Sequence, residues 1–198
     1  YFNCSSFPHF DTSSNDFKLV NAWYLAEVSR LSYRVADNPS RNEILADAQL
    51  EEIKVITSKS NRCAILRSTR GDNPFHIVVF RGTSDVRNWI TNVSATTTTV
   101  PGYGKVHKGF WSAVNTLSDG LKMELEHVDT SIYYAGHSLG GALAILMSIK
   151  TMPYAVYTLG SPRIGNQDFS ESTREFPIYR LINHLDIVPT LPLAGPVY

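Results

Sequence analysis

The sequence predicts an α/β domain with a mainly parallel central sheet flanked by helices, and three observations carry that prediction. Strand-like and helix-like runs alternate through the second half of the 198 residues, which implies right-handed crossovers between parallel strands. The run 75–80 (FHIVVF) presents apolar residues on both faces, as a strand covered by a layer on either side must. In residues 131–151 (SIYYAGHSLGGALAILMSIKT) an apolar strand stops at Gly136 and an almost wholly apolar helix opens at Gly140 and Gly141. Ser138 stands in the turn between them. A serine with a glycine two residues away on each side, between strand and helix, has the spacing of a nucleophile elbow.

The elements follow in order. Residues 1–15 are polar and turn-rich and read as an arm. A helix is predicted from Asp16, its cap, with Val20, Trp23, Tyr24, Val28 and Leu31 recurring on one face. Asn38-Pro39-Ser40 punctuates the chain before a shorter helix over 41–50. Strands are predicted at 53–57, 62–68 and 75–80, with turns at 58–61 and 70–74. Residues 84–94 suit a short helix, 95–100 an extended threonine-rich run, and 101–108 a loop. Val114, Leu117, Leu121, Leu125 and Val128 mark the buried stripe of a helix over 110–128. After the elbow come a strand at 154–159, a glycine/proline turn at 160–165, a short helix at 167–173, a strand at 178–182 and a proline-rich tail. With no linker or repeat, the expectation is one domain over 1–198.

Eighteen basic residues balance eighteen acidic ones, which disfavours a nucleic-acid or anionic-membrane partner recruited by charge. The longest apolar stretch, 139–149, is too short to span a bilayer. The chain opens at Tyr1 without a signal-peptide pattern, as a processed mature form or a fragment would. Glycosylation triplets at Asn3 and Asn92 tilt the expectation toward a secreted protein over a cytoplasmic one. Cys4 and Cys63, the only cysteines, either pair or remain free thiols.

An acyl-transfer serine needs a base, a group that orients the base, and donors for the oxyanion. Asp186, just past the strand at 178–182 and followed by Ile187, Val188 and Pro189, is the acid candidate; the alternative is a turn aspartate capping the next residues. A backbone N–H at Thr83, beyond the carboxyl end of the central strand, and that of Leu139, next to the nucleophile, are the oxyanion candidates. The alternative for Thr83 is an ordinary strand-end turn. All six histidines precede Asp186, whereas the chain order of this chemistry places the base after the acid. His137 is expected to pack under the elbow, His107 to make a structural hydrogen bond at a helix start, and His76 to be a satisfied core residue. The base is therefore expected outside this sequence. Neither a metal-ligand pattern nor a phosphate-binding loop is present, so no metal and no cofactor are expected.

Five stretches in order, 78–92 (VVFRGTSDVRNWITN), KVHKGF, GHSLGGALA, YTLGSPRIGN and INHLDIVPTLP, resemble the class 3 lipases, the fungal-lipase-like branch of the α/β hydrolases. A weaker similarity covers residues 21–34. The resemblance implies Ser138 as nucleophile, Asp186 as triad acid, and Thr83 (through N–H and hydroxyl) with Leu139 as the oxyanion hole. It implies a lid over Ser84, Asp85, Val86, Arg87, Asn88, Trp89 and Ile90, against the alternative of a fixed surface helix with Trp89 in the core. Such a lid opens at a lipid surface. His107, His137, Gly160–Arg163 and Asn166 match positions read as structural. The expected activity is hydrolysis of lipid esters at or near a lipid–water interface, with a feruloyl-type esterase as a neighbouring possibility. In that family the catalytic histidine follows a further strand, which places it beyond residue 198. A lipase-like binding module without a complete triad is the competing expectation.

Overall fold

The computed structural model describes residues 9–34, 39–83 and 96–192. The predicted lid, Cys4 and both glycosylation triplets lie outside them, so the structure speaks to none of these. Eight strands are described: β1 (Leu50–Ser58), β2 (Asn61–Ser68), β3 (Phe75–Phe80), β4 (Thr97–Val100), β5 (Gly104–His107), β6 (Ser131–His137), β7 (Ala155–Leu159) and β8 (Ile178–Leu181). The described helices are α1 (Leu19–Leu31), α2 (Pro39–Asp47), α3 (Lys108–Leu125), α4 (Leu139–Thr151) and α5 (Gln167–Ser172), with a 3₁₀ turn at Val188–Thr190.

Six strands form one sheet in the order β1-β2-β3-β6-β7-β8, and β4 and β5 form a separate hairpin. β1, β2 and β3 run antiparallel through short turns. From β3 onward the pairs β3–β6, β6–β7 and β7–β8 are parallel, each joined by a helical crossover, as the alternating sequence pattern requires.

The apolar run of β3 divides between two cores. Val78 and Phe80 join Ile65, Tyr134, Val114, Leu117, Leu121 and the body of α4 on one face. Ile77 and Val79 join Leu66, Tyr133, Ala135 and the α1 residues Leu25, Val28 and Leu31 on the other. Side chains alternate along a strand, so a strand covered on both faces cannot show the polar alternation of a half-exposed one. α4 packs on β3, β6 and β7 with α3 beside it on β1 and β2, and every residue from Gly140 to Ser148 is buried. A helix that is apolar all round has this position as its stable one.

Several boundaries differ from expectation. α1 starts at Leu19, and Lys18 rather than Asp16 is its N-cap residue, with no side-chain cap. The Tyr157 hydroxyl accepts from the Lys18 N–H (3.0 Å) and donates to the Asp16 carbonyl (3.3 Å), so a tertiary contact sets the helix entry. α2 begins earlier than predicted and ends at Asp47, because β1 starts at Leu50. The predicted loop at 101–108 contains β5, whose pairing with β4 turns on Gly102. α3 opens at Lys108, capped by His107, whose Nδ1 accepts the Phe110 N–H at 3.3 Å. That is the structural role expected of His107. Cys63 is a fully buried free thiol, and burial pushes its pKa up to about 12.

Candidate active site

Parallel register brings the candidate residues to one edge of the sheet. Phe80 of β3 lies opposite Gly136 of β6, His137 opposite Leu159 of β7, and Leu159 opposite Leu181 of β8. The segments leaving these strands, with Thr83, Ser138, Gly160 and Asp186, therefore emerge at the same carboxyl edge. Open parallel sheets place their ligands there.

Ser138 has φ 56° and ψ −126°, a sparsely populated conformation for a residue with a side chain, costing on the order of 1–3 kcal/mol. The surrounding packing enforces it. The Ser138 N–H donates to the Leu159 carbonyl (2.9 Å), and its own carbonyl accepts from Gly141 N–H (2.9 Å). A Cβ on Gly136 would run into the backbone of Gly140, and one on Gly140 into the Phe80 carbonyl. Only glycine at both positions lets strand, turn and helix approach this closely. Ser138 is 1% exposed, and its Oγ has no hydrogen-bond partner among the described residues. A buried hydroxyl without a partner calls for an explanation.

Leu139 is the first residue of α4, where backbone N–H groups have no intrahelical acceptor. Thr83 is half-buried, and the preceding Gly82 packs on the elbow: a Cβ there would come within 2.7 Å of the His137 carbonyl. The Thr83 segment and the elbow are thus in contact.

Asp186 is half-buried. Its Oδ1 accepts the Val188 N–H at 2.9 Å, the turn-capping role. Its Oδ2 faces Gly160, where an added Cβ would lie 2.6 Å away. Gly160 has φ +56°, a conformation that costs glycine little, and the missing side chain leaves the carboxylate its space.

His137 departs from expectation. It is exposed rather than packed beneath the turn. Its Nδ1 lies 2.9 Å from the Tyr33 hydroxyl, and its Nε2 borders Gly160, 3.9 Å from where a Cβ would stand. Burial of part of the ring holds its pKa below the usual histidine value, while Asp186 opposes the shift. A strand-end residue whose neighbour turns into a helix projects away from that helix. Tyr33 was missed in the sequence; its one signal was the weak similarity of residues 21–34. His76 is a core histidine as expected, its Nδ1 2.7 Å from Thr130 Oγ1. None of the six histidines, all of them described, hydrogen-bonds Ser138. Open clefts of about 510 Å³ beside α5 and β8 and about 560 Å³ beside α2 and β1 include none of Ser138, Thr83 or Asp186.

A mostly parallel sheet with a strained serine between β6 and α4 defines an α/β hydrolase. Residues 77–195 match the family described as Lipase (class 3), and the chain belongs to that family. It is 31% identical over 166 residues to a lipase from Rhizomucor miehei, covering 73% of this chain and 46% of that protein. It is 35% identical over 130 residues to the secreted mono- and diacylglycerol lipase 1 of Fusarium solani, covering 59% and 39%. A solved triacylglycerol lipase whose catalytic centre is formed by a serine protease triad superposes with TM-score 0.75 at 27% identity, covering 87% of this chain and 73% of that one. The chain spans less than half the length of those two curated relatives. Among the described residues no helix is long and apolar enough to cross a membrane.

Proposed function

We propose that this chain carries the nucleophile, acid and oxyanion donors of a serine ester hydrolase acting on acylglycerols or related lipid esters. The carrying observation is the strained, buried Ser138, its Oγ unpartnered among the described residues, at the sheet edge that Asp186 and Thr83 share. The family and the lipase relatives support the reading. Ser138 Oγ attacks the ester carbonyl carbon as a histidine, not among the six of this sequence, takes its proton. The Thr83 N–H and hydroxyl and the Leu139 N–H receive the oxyanion, and the positive end of α4 favours the charge. Collapse of the tetrahedral intermediate releases the alcohol, protonated by the histidine, and leaves an acyl ester on Ser138. Water activated by the same histidine hydrolyses that ester. Asp186 Oδ2, the oxygen not held by Val188, orients the histidine and stabilises its imidazolium. In this reading the ester is met at or near a lipid–water interface.

The absence of any histidine bonded to Ser138 favours one second reading, a lipase-like binding domain without turnover. A fluorophosphonate probe followed by mass spectrometry separates the two. In a protein that carries the catalytic histidine, labelling at Ser138, lost in Ser138→Ala, supports the hydrolase; such a protein, folded and never labelled, overturns it.

A further inference from the structure

We propose that Tyr33 and His137 form a positioning pair for Asp186: the Tyr33 hydroxyl donates to His137 Nδ1, which leaves the ring proton on Nε2, the nitrogen that borders Gly160 together with the Asp186 carboxylate. This rests on the hydrolase reading of the same site and adds two residues to it.

The contact joins positions 104 apart in sequence, so it depends on the fold rather than on local geometry. Tyr33 lies just past the end of α1. Its hydroxyl is 2.9 Å from His137 Nδ1 and 3.5 Å from the His137 carbonyl, and the two rings meet edge to face with centroids 5.8 Å apart. The hydroxyl occupies a slot at the end of β3, where a Cβ on Gly82 would overlap it. One side chain therefore touches the backbone before Thr83 and the residue before Ser138, and through His137 reaches the side of Gly160 that carries Asp186.

The surroundings keep both groups neutral. Burial raises the Tyr33 pKa to about 12, with Arg81 opposing, so the hydroxyl keeps its proton at neutral pH and can donate. Burial also favours neutral His137, with the Asp186 charge acting the other way. A neutral imidazole that accepts at Nδ1 carries its hydrogen on Nε2. His137 Nε2 and Asp186 Oδ2 border one point, 3.9 and 2.6 Å from the Cβ position of Gly160. Because Val188 already holds Oδ1, Oδ2 is the oxygen that shares the Gly160 side with the Nε2–H dipole. The dipole steadies that oxygen's charge and direction without forming a direct hydrogen bond. The charged and titratable groups acting on the pair are Arg81, from the end of β3, and Asp186.

The test is run on the full chain. Long-range ¹H–¹⁵N spectra of the ring are expected to show the Nε2–H tautomer of His137 in wild type and a mixture in Tyr33→Phe. This readout needs no turnover. In ester hydrolysis, Tyr33→Phe and His137→Leu are each expected to lower kcat roughly tenfold with KM within about twofold, the size of effect that misplacing a catalytic group produces. His137→Gln, whose amide N–H reaches the Nε2 position, is expected to stay within about threefold of wild type. An Nδ1–H tautomer in the wild type, or Tyr33→Phe and His137→Leu at wild-type kcat while Ser138→Ala is inactive, overturns the pairing and leaves the hydrolase standing. Activity that survives Ser138→Ala overturns the hydrolase reading, and the tautomer still decides the pairing.

Discussion

Gly160 shows how much of this site rests on single atoms. The Asp186 carboxylate fills the space a side chain would take, and the backbone is left-handed. Gly160→Ala is therefore expected to displace Asp186 and lower kcat while the fold persists, with circular dichroism separating the two effects. Asp186→Asn keeps the shape and the Val188 contact but removes the charge that stabilises an imidazolium. A fall in kcat of roughly 10³–10⁴ is expected, as for the acid of other triads, measured as ester turnover at constant protein fold. The residues proposed to make the chemistry, Ser138, Leu139, Thr83 and Asp186, were legible in the sequence because each lies at a recognisable strand end or turn. Tyr33 was not, because nothing local to it signals a partner 104 residues away.

At the scale of elements, α4 rests on its burial and α5 on its cap. Leu143 is fully buried in α4, so Leu143→Ala is expected to reduce unfolding free energy by about 2–5 kcal/mol through lost burial and the cavity left behind. Urea titration reads this directly. Asn166 caps α5 by accepting the Phe169 N–H at 3.2 Å, and the same oxygen accepts the Lys105 N–H of β5 at 3.0 Å. Asn166→Ala is expected to cost about 1–2 kcal/mol in the same assay. The existence of these elements was readable from apolar periodicity, which survives in any half- or fully buried segment. Their ends were less so. Tyr157 decides where α1 begins, and β5 reads as loop because four residues, GKVH, carry too short a pattern to separate strand from turn.

The whole molecule is expected to lose stability on mild acidification. His76 and His137 both have pKa values below the usual histidine value, burial being the first cause in each. Near the ordinary histidine value of 6.5 the unfolded chain binds protons that the native chain refuses. Their contribution is therefore fully present above that pH and declines as pH falls through it toward the native values. Urea midpoints compared at about pH 7.5 and about pH 5.5 are expected to show the drop, and His76→Asn to narrow it.

The sequence by itself determined that strands and helices alternate, that β3 and α4 lie in the interior, and that Ser138 stands in an elbow. These follow from periodicity and from glycine spacing, which are properties of neighbouring residues. The tertiary structure alone decided that His137 faces Tyr33 and the Asp186 side of Gly160 rather than the underside of the turn. It also decided that Asp186 divides its two oxygens between Val188 and the site. Both depend on the register of β3, β6, β7 and β8, which sets what meets at the sheet's edge and which no single stretch of chain encodes.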